Sequence, residues 1–189
     1  MNKTELRHHY LRKRLSLGPD DVDYLSQQIC QNFFTIKYLS QKRYFHIFLP
    51  IAHNKEINTW PIINALWSKK KKVIVPISDF KNFQMANFFL TPKTKLEDNH
   101  YGIPEPVNAD IAPSKDIQVV IVPLLAFDDG GFRVGYGKGF YDKFLNCLDA
   151  HVMRIGLSFF EATEGIDNIE EWDEKLHFCV TPSKVYEFW

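Results

Sequence analysis

Apolar residues along this chain follow two different spacings. Short, nearly continuous apolar runs are typical of buried strands, and they occur at residues 44–50, 72–77, 83–90, 117–127 and 151–159. Segments before and between several of these runs carry apolar residues at helical spacing. Strands that alternate with helices predict a mostly parallel sheet covered on both faces and joined by right-handed crossovers. We therefore expect an α/β protein, a three-layer α/β/α sandwich built as a single domain over residues 1–189.

The first predicted helix covers residues 3–17 and is strongly basic. Its expected inward-facing positions are Leu6, Tyr10 and Leu15. Lys3 and Arg7 are four residues apart, which places both cations on one face of the helix. Most basic helices of this kind are simply solvated. The alternative is that the two cations close over a triphosphate bound by a loop farther along the chain.

Residues 130–142, with the sequence GGFRVGYGKGFYD, form a glycine-rich loop between the fourth apolar run and a helical segment that ends near residue 149. The glycines are Gly130, Gly131, Gly135, Gly137 and Gly139. Glycine enters positive φ without steric cost, so such a loop can turn its amides toward an anion. The start of the following helix adds amides and a partial positive charge, and Arg133 and Lys138 add two full charges. This combination favours a polyphosphate ligand.

The loop matches neither of the two best-known phosphate-binding motifs. A Walker A loop requires serine or threonine after its lysine, whereas Lys138 is followed by Gly139. The dinucleotide-binding fingerprint requires G-x-G-x-x-G, whereas the glycines here run G-x-G-x-G. A tight surface turn between a strand and a helix is the structural alternative. The two cations, and the sequence Phe-Tyr-Asp at the end of the loop, favour binding over a plain turn.

Other candidate residues lie in and after the first predicted strand and in a long connection. Glu56 precedes a helix at a position where α/β sheets place ligands, so it is either a substrate-binding acid or a solvated loop residue. His46 is better explained as a core histidine than as a metal ligand, because no second ligand stands at metal spacing. Residues 91–113 form a long connection with Glu105 between two prolines. Long connections in compact domains are often functional, but no role for this one follows from the sequence.

Composition and charge exclude several classes of protein. Apolar residues make up 45% of the 189 residues, as in globular proteins. The 23 basic and 23 acidic residues cancel, so no overall field attracts nucleic acid or an anionic membrane. No apolar run is long enough to span a bilayer. The three cysteines, Cys30, Cys147 and Cys179, are far apart in apolar contexts, which predicts reduced core thiols and a cytoplasmic location.

The glycine loop closely resembles the signature of the 5-formyltetrahydrofolate cyclo-ligase family, whose members are also called methenyltetrahydrofolate synthetases. Other segments agree with that family in the right order: K-x-x-L-R at residues 3–7, E-I-x-T at residues 56–59, and W-D followed by V-T-P at residues 172–182. The sequence Ile-Pro-Glu-Pro at residues 103–106 also fits. The resemblance covers nearly the whole chain, and the glycine loop is its specific part.

This resemblance implies an ATP- and Mg²⁺-dependent ligase that converts 5-formyltetrahydrofolate into 5,10-methenyltetrahydrofolate, ADP and phosphate. The implied ATP site consists of Lys3, Thr4, Glu5, Leu6, Arg7, Arg133, Val134, Gly135, Tyr136, Gly137, Lys138, Gly139, Phe140 and Tyr141. Arg133 and Lys138 are the expected catalytic residues, since they would offset charge on the transferring phosphoryl group. The implied magnesium ligands are Asp142 and Asp173, and the implied folate site consists of Leu49, Glu56, Tyr136 and Phe140.

Two other functions remain open at the level of sequence. A sugar-phosphate isomerase or an acyl-CoA transferase of similar architecture would also need a glycine-rich anion loop, but it would need neither Lys3 and Arg7 nor magnesium. A non-catalytic relative that binds folate or nucleotide is the second possibility. For the ligase we expect the small-molecule substrates 5-formyltetrahydrofolate and ATP as partners, with no nucleic acid and no membrane, and a monomer or a weak dimer.

Overall fold

The computed structural model describes residues 1–82 and 84–188, so Phe83 and Trp189 lie outside the described residues. Within these ranges the α-helices are α1 (Lys3–Leu15), α2 (Pro19–Phe33), α3 (Trp60–Ser68) and α4 (Phe140–Asn146). The strands are β1 (Tyr44–His46), β2 (Lys72–Asp79), β3 (Gln84–Leu90), β4 (Lys95–Asp98), β5 (Pro104–Val107), β6 (Val119–Pro123), β7 (Ala126–Phe127), β8 (Arg133–Val134), β9 (Met153–Leu157), β10 (Phe178–Val180) and β11 (Val185–Glu187). None of the described helices is both long and apolar enough to cross a bilayer.

Seven strands form the central sheet in the order β11-β10-β9-β6-β1-β2-β3. The five inner strands run parallel, while β3 and β11 are antiparallel strands at the two edges. The expected α/β architecture with a mostly parallel sheet is confirmed, and residues 84–90 form an edge strand as predicted. From β1 the chain passes through α3 to β2 on one side, and from β6 it passes through α4 to β9 on the other. The strand order therefore reverses between β1 and β6.

Side chains of the parallel strands alternate between two apolar cores. On one face of the sheet, Ile121 of β6 packs in a cluster with Phe33 of α2 and Ile63 of α3. On the other face, its neighbour Val120 packs in a cluster with Phe144 of α4. All five side chains are buried. Since successive strand residues point to opposite faces, this alternation shows a sheet covered on both sides, as the apolar runs predicted.

Helix α1 packs on the short hairpin of β7 and β8. Leu6 is fully buried with Val134 and Ile166 in a third apolar cluster. The sequence-based assignment of Leu15 as inward-facing is wrong, because Leu15 is 41% exposed. Its neighbour Arg14 turns inward instead and is 5% exposed. The helix is thereby fixed against the first residues of the glycine loop.

Three predicted elements differ in extent from their sequence patterns. The apolar run at residues 117–127 is not one strand: β6 ends at Pro123, which has no N–H for the ladder, and β7 leaves the sheet to pair with β8. The long connection at residues 91–113 contains the antiparallel hairpin of β4 and β5. Helix α4 ends at Asn146 rather than near residue 149.

The three cysteines are unpaired but differ in burial. Cys179 is buried, Cys30 is half-buried and Cys147 is exposed, so the expectation of a core thiol is wrong for Cys147. Burial raises the pKa of the Cys30 thiol and raises the pKa of Cys179 more strongly. Cys147 is exposed because Phe144 and Leu145 supply the buried face of α4.

Candidate active site

A cleft of about 740 Å³ opens at the carboxyl ends of the parallel strands, beside the reversal of strand order. Leu49 follows β1 at this cleft, Ser78 lies near the end of β2, and Pro123 ends β6. Open α/β sheets bind ligands at this position because the connections after two neighbouring strands diverge there. The volume is also typical of small-molecule sites. This cleft is therefore the candidate active site.

The glycine loop forms one wall of the cleft. Gly137 and Gly139 have φ angles of 82° and 70°, which residues with side chains rarely adopt. The guanidinium of Arg7 packs directly on Gly137, where an added Cβ would lie 2.9 Å from Cζ. Arg7 Nε also donates a 3.0 Å hydrogen bond to the carbonyl oxygen of Gly135. The N-terminal helix and the glycine loop are thus in contact, as the two-cation interpretation of that helix requires.

Most of the predicted nucleotide-binding residues lie at the cleft. These are Lys3, Arg7 and every residue from Arg133 to Tyr141. Thr4, Glu5 and Leu6 do not line it. The Asn2 side chain accepts hydrogen bonds from the amides of Thr4 and Glu5, and the Glu5 side chain accepts one from the Asn2 amide, which caps α1. Leu6 lies in the apolar cluster beneath the helix. These three residues anchor the helix whose cations reach the cleft.

Ion pairs connect most of the charged side chains around the glycine loop. Lys3 Nζ contacts Asp173 Oδ2, and Arg133 Nη2 lies 2.6 Å from Asp142 Oδ1. Lys138 is exposed and has no ion-pair partner among the described residues. We call this region, with Gly135, Gly137 and Gly139, the phosphate end. In each ion pair, a phosphate group could take the place of the carboxylate beside the cation, and a metal ion could take the place of the cation beside the carboxylate.

Asp142 and Asp173 belong to two chain segments that the side-chain amide of Asn146 holds together by hydrogen bonds. Asn146 Nδ2 donates to the carbonyl oxygens of Asp142 at 2.9 Å and of Trp172 at 3.2 Å. Among the described residues no group of three or more His, Cys, Asp or Glu could hold a metal ion. Mg²⁺ in nucleotide sites takes only one or two carboxylates and completes its shell with phosphate oxygens and water. The two aspartates therefore fit a divalent cation that binds together with phosphate.

Another part of the cleft, which we call the acid end, holds the buried carboxylate of Glu56, next to the Tyr136 side chain of the glycine loop. Glu56 is 6% exposed, and its Oε2 accepts a 2.8 Å hydrogen bond from the amide of Ile51. Its Oε1 accepts from the hydroxyl of Tyr136, which in turn accepts from Arg14. Burial raises the pKa of Glu56, and the Tyr136 hydrogen bond and the Arg14 charge oppose that shift. The interpretation of Glu56 as a solvated loop residue is therefore wrong.

Aromatic side chains form a further part of the cleft wall, which we call the aromatic wall. The ring centroid of Phe80 lies 4.9 Å from that of Tyr101 and 5.3 Å from that of Phe140. Tyr101 and Glu105 come from the connection whose role the sequence left open, and both line the cleft. The hydroxyl of Tyr141 is buried without a hydrogen-bond partner among the described residues, and burial raises its pKa. These rings offer flat apolar surface to a ligand.

Sequence reasoning missed Arg14 and Phe80 and gave no role to Tyr101. Arg14 follows Arg7 by seven residues and lies on the same face of α1, so helical periodicity could have identified it. Phe80 follows β2 directly, at the end of a parallel strand where ligands bind. Tyr101 had no comparable signal, because the hairpin of β4 and β5 brings it to the cleft from a separate sheet.

The fold and the cleft together define a class of protein. A doubly covered, mostly parallel sheet places a cationic glycine loop, two carboxylates and a buried acid around one small-molecule cleft. This is an α/β protein with a small-molecule cleft whose lining combines cations, carboxylates and aromatic surface.

Comparisons with known proteins identify the family. The profile of the 5-formyltetrahydrofolate cyclo-ligase family matches residues 1–182. The 5-formyltetrahydrofolate cyclo-ligase of Escherichia coli strain K12 is 32% identical over 184 residues, which cover 94% of this chain and 98% of that protein. The Haemophilus influenzae protein of the same name is 28% identical and is covered to 92%, as is this chain. The chain belongs to the 5-formyltetrahydrofolate cyclo-ligase family.

Solved structures support the same assignment. The 5,10-methenyltetrahydrofolate synthetase of Aquifex aeolicus superposes with a TM-score of 0.82 at 26% identity, covering 99% of this chain and 93% of that one. A Mycoplasma pneumoniae 5,10-methenyltetrahydrofolate synthetase superposes with a TM-score of 0.73 over 96% of this chain and 99% of that one, and at 20% identity it supports the fold alone. The family resemblance inferred from the motifs is confirmed.

Proposed function

We propose that this protein is an ATP-dependent ligase that cyclises 5-formyltetrahydrofolate to 5,10-methenyltetrahydrofolate and releases ADP and phosphate. The observation that carries the proposal is one continuous cleft that is lined by both the cationic glycine loop and the buried Glu56. The reaction requires a nucleoside triphosphate and a reduced folate in contact, and this cleft offers a position for each. Membership in the cyclo-ligase family and the similarity to the Aquifex aeolicus synthetase support the same reaction.

The phosphate end would supply the electrostatic part of catalysis. Phosphoryl transfer depends on positioning and charge neutralisation more than on a protein nucleophile. Lys138, which is exposed and unpaired among the described residues, and Arg133, whose side chain is 5% exposed, are the proposed catalytic cations at the transferring group. Lys3 and Arg7 would hold the remaining phosphates together with the amides of residues 135–139.

Asp142 and Asp173 are the proposed ligands of Mg²⁺. Each carboxylate would release its present partner, Arg133 or Lys3, and the released cation would then pair with a phosphate oxygen. When bound, Mg²⁺ would neutralise the negative charge that develops on the phosphate groups. This exchange keeps every charge paired before and after the nucleotide binds.

The acid end and the aromatic wall are proposed to hold the folate through Leu49, Glu56, Tyr136 and Phe140. A pterin ring carries several N–H donors along one edge, and the Glu56 carboxylate can accept from them. Phe140 and Leu49 would cover the faces of the ring. The Tyr136 hydroxyl is engaged with Glu56, so Tyr136 would contact the folate with its ring.

In the proposed mechanism the formyl oxygen on N5 attacks the γ-phosphorus of ATP, and ADP leaves. N10 then attacks the activated formyl carbon and loses its proton. Phosphate departs with the former formyl oxygen, and the five-membered ring is closed. The protein would hold the formyl oxygen in line with the phosphoryl group, offset the charge on the equatorial oxygens, and keep N10 within reach of the carbon.

A direct assay tests this function. Purified protein should convert 5-formyltetrahydrofolate into the methenyl product, followed by its absorbance, with one ADP formed per turnover and only when ATP and Mg²⁺ are present. Turnover of a phosphosugar or an acyl-CoA without ATP would favour the isomerase or transferase alternative. Tight binding of folate or nucleotide with no product would favour the non-catalytic relative. Either result would overturn the proposal.

We also propose a cytoplasmic location, small-molecule partners only, and a monomer or weak dimer. The three unpaired cysteines support a reducing compartment, since disulfides are uncommon there. Light scattering at assay concentrations measures the oligomeric state, and a stable higher oligomer would contradict the third expectation.

A further inference from the structure

Arg14 is a cation in a buried position. It lies on the last turn of α1 and is 5% exposed, although arginine is almost never this deeply buried without a partner. Its Nη2 donates to the hydroxyl of Tyr136, and its guanidinium carbon lies 5.3 Å from the centre of the Tyr136 ring. Its Nε is buried without a partner among the described residues. Because burying a charge costs free energy, this placement calls for a role beyond solubility.

Tyr136 connects Arg14 to the buried acid. The hydroxyl oxygen of Tyr136 accepts from Arg14, while the hydroxyl itself donates to Oε1 of Glu56. The amide of Ile51 donates to Oε2 of the same carboxylate. Both carboxylate oxygens therefore have a donor from the protein, which fixes the plane of the group. Each oxygen keeps a further lone pair that a ligand in the cleft can use.

We infer that Arg14 is a positioning residue of the folate site: acting through the Tyr136 hydroxyl, it holds Glu56 in the orientation that accepts hydrogen bonds from the pterin. The inference rests on the proposed function, because it names a residue that prepares that site. Arg14 does not line the main cleft, so its effect on the substrate passes through Tyr136 and Glu56.

Several groups act on the charge of Glu56. Burial raises the pKa of Glu56, while the hydrogen bond from Tyr136 and the nearby Arg14 and His53 lower it. On α4, the Glu56 charge adds to burial in raising the pKa of Tyr141, which therefore faces Glu56 as a neutral phenol. Arg14 is the permanently charged member of this set. Its removal would shift the pKa of Glu56 further upward and move the acidic limb of folate binding to higher pH.

Because α1 contacts both parts of the cleft, a specific role of Arg14 can be distinguished from a general role in supporting the fold. Earlier turns of the same helix bring Lys3 to Asp173 and Arg7 to Gly135, at the phosphate end. A distortion of the whole helix would therefore weaken both ATP and folate binding. Loss of the Arg14 contact alone should weaken folate binding and leave ATP binding unchanged. The KM values for the two substrates therefore distinguish loss of this contact from distortion of the helix.

The test compares Arg14→Gln with Arg12→Gln, which removes an exposed cation from the same turn. Arg14→Gln should raise the KM for 5-formyltetrahydrofolate about tenfold, as expected for loss of a hydrogen bond to a charged group, and leave the KM for ATP within about twofold. The acidic limb of kcat/KM for the folate should move to higher pH. Arg12→Gln should change neither quantity, and Arg14→Lys should restore part of the folate affinity.

Tyr136→Phe provides a second variant if Arg14→Gln fails to fold. It keeps the aromatic ring but removes the connecting hydroxyl, so it should also raise the folate KM. Because Arg14 and Tyr136 act through one chain of hydrogen bonds, the double variant should cost about as much as the costlier single variant. Additive effects, equal losses in ATP and folate affinity, or a folate KM unchanged in both single variants would each overturn the inference.

A titration without ligand keeps this inference separate from the proposed function. Carbon-13 NMR of the glutamate carboxyl groups, with Glu56→Gln to assign the signal, measures the pKa of Glu56 in the wild type and in both arginine variants. Arg14→Gln should raise that pKa relative to Arg12→Gln, and an unchanged value would overturn the inference. If the wild type neither binds nor converts 5-formyltetrahydrofolate, the proposed function fails, while the titration still measures whether Arg14 controls Glu56.

Discussion

The two ends of the cleft hold their charges in different ways. At the phosphate end the charged groups pair across the opening, and Asp142 remains 31% exposed while it contacts Arg133. At the acid end Glu56 and Arg14 are 6% and 5% exposed and are joined through the Tyr136 hydroxyl. The first arrangement consists of ion pairs that a charged ligand can replace. The second is an internal network that no ligand needs to replace.

This difference shows how one cleft can serve two kinds of substrate. A triphosphate with a metal ion brings charges of both signs, so paired cations and carboxylates can exchange partners with it at little electrostatic cost. A folate ring brings neutral N–H donors and apolar faces, which bind best to an acceptor that is already oriented. Substitutions at the phosphate end should therefore reduce turnover and metal use, whereas those at the acid end should reduce folate affinity.

The largest effect is expected for Lys138→Ala. Removing this cation should lower kcat about 100-fold or more, as loss of one electrostatic donor at a reacting group does, with little change in melting temperature because Lys138 is exposed. Lys143→Ala, at an exposed position on α4, is the matched control. Steady-state kinetics and calorimetry measure both quantities. A large fall in melting temperature with normal turnover would instead mean that the loop is a structural turn.

Glu56→Gln should have the next largest effect. It removes the charge that accepts hydrogen bonds at the acid end, so the KM for 5-formyltetrahydrofolate should rise about 10- to 100-fold while the KM for ATP changes little. Glu97→Gln, at an exposed position on β4, is the control. If ATP affinity fell as far as folate affinity, the two ends would not be independent and the comparison between them would fail.

Asp142→Asn should act mainly on the metal requirement. With one carboxylate lost, the Mg²⁺ concentration for half-maximal activity should rise about tenfold, while the folate KM is preserved. Activity measured over a range of Mg²⁺ at saturating ATP provides the test, with the exposed Asp149→Asn as control. An unchanged Mg²⁺ dependence would remove Asp142 from the metal site.

The smallest effect on activity is expected at His46, whose role is in stability. Burial lowers the pKa of His46 to about 3, from 6.5 in an unfolded chain. The unfolded state therefore binds the proton first, and stability that is present above pH 6.5 is lost as the pH falls toward 3. His46 should account for about 2 kcal/mol of lost stability between pH 7 and pH 5.

Denaturant unfolding of His46→Leu at these two pH values tests this expectation. The variant should lose that part of the pH dependence, because the unfolded state no longer takes up the extra proton. His151→Asn, at an exposed position, should behave as the wild type does. Equal pH dependence in the wild type and in His46→Leu would show that folding does not lower the pKa of His46.

Elements with a strong local pattern could be predicted from the sequence. The apolar runs predict four of the five parallel strands, β1, β2, β6 and β9, whereas β10 was not predicted as a strand. The clustered glycines with Arg133 and Lys138 predict the loop that lines the cleft. Both signals are local, since strand burial and loop conformation depend on residues close together in the chain. The partner of that loop, the helix with Lys3 and Arg7, was inferred from charge spacing and lies in contact with it.

The acid end could not be predicted in the same way. Glu56, Tyr136 and Arg14 are far apart in the sequence, and no local pattern shows that one hydroxyl joins them. The turn containing Leu15 was misassigned because hydrophobicity favours leucine over arginine for an inward position. The buried Glu56 carboxylate and the Tyr136 hydroxyl oxygen, which accepts a hydrogen bond from Arg14, reversed that preference. Only the tertiary arrangement contains this information.

The exposed thiol of Cys147 has a practical consequence. Thiol reagents at neutral pH should modify it first, because Cys30 and Cys179 are shielded and their pKa values are raised by burial. Cys147 directly follows α4, whose first turn continues from the glycine loop, and a seven-residue helix is roughly 10 Å long. A fluorescent dye attached there would lie one short helix away from the proposed nucleotide site, and its emission could report ligand binding in real time without any engineered cysteine.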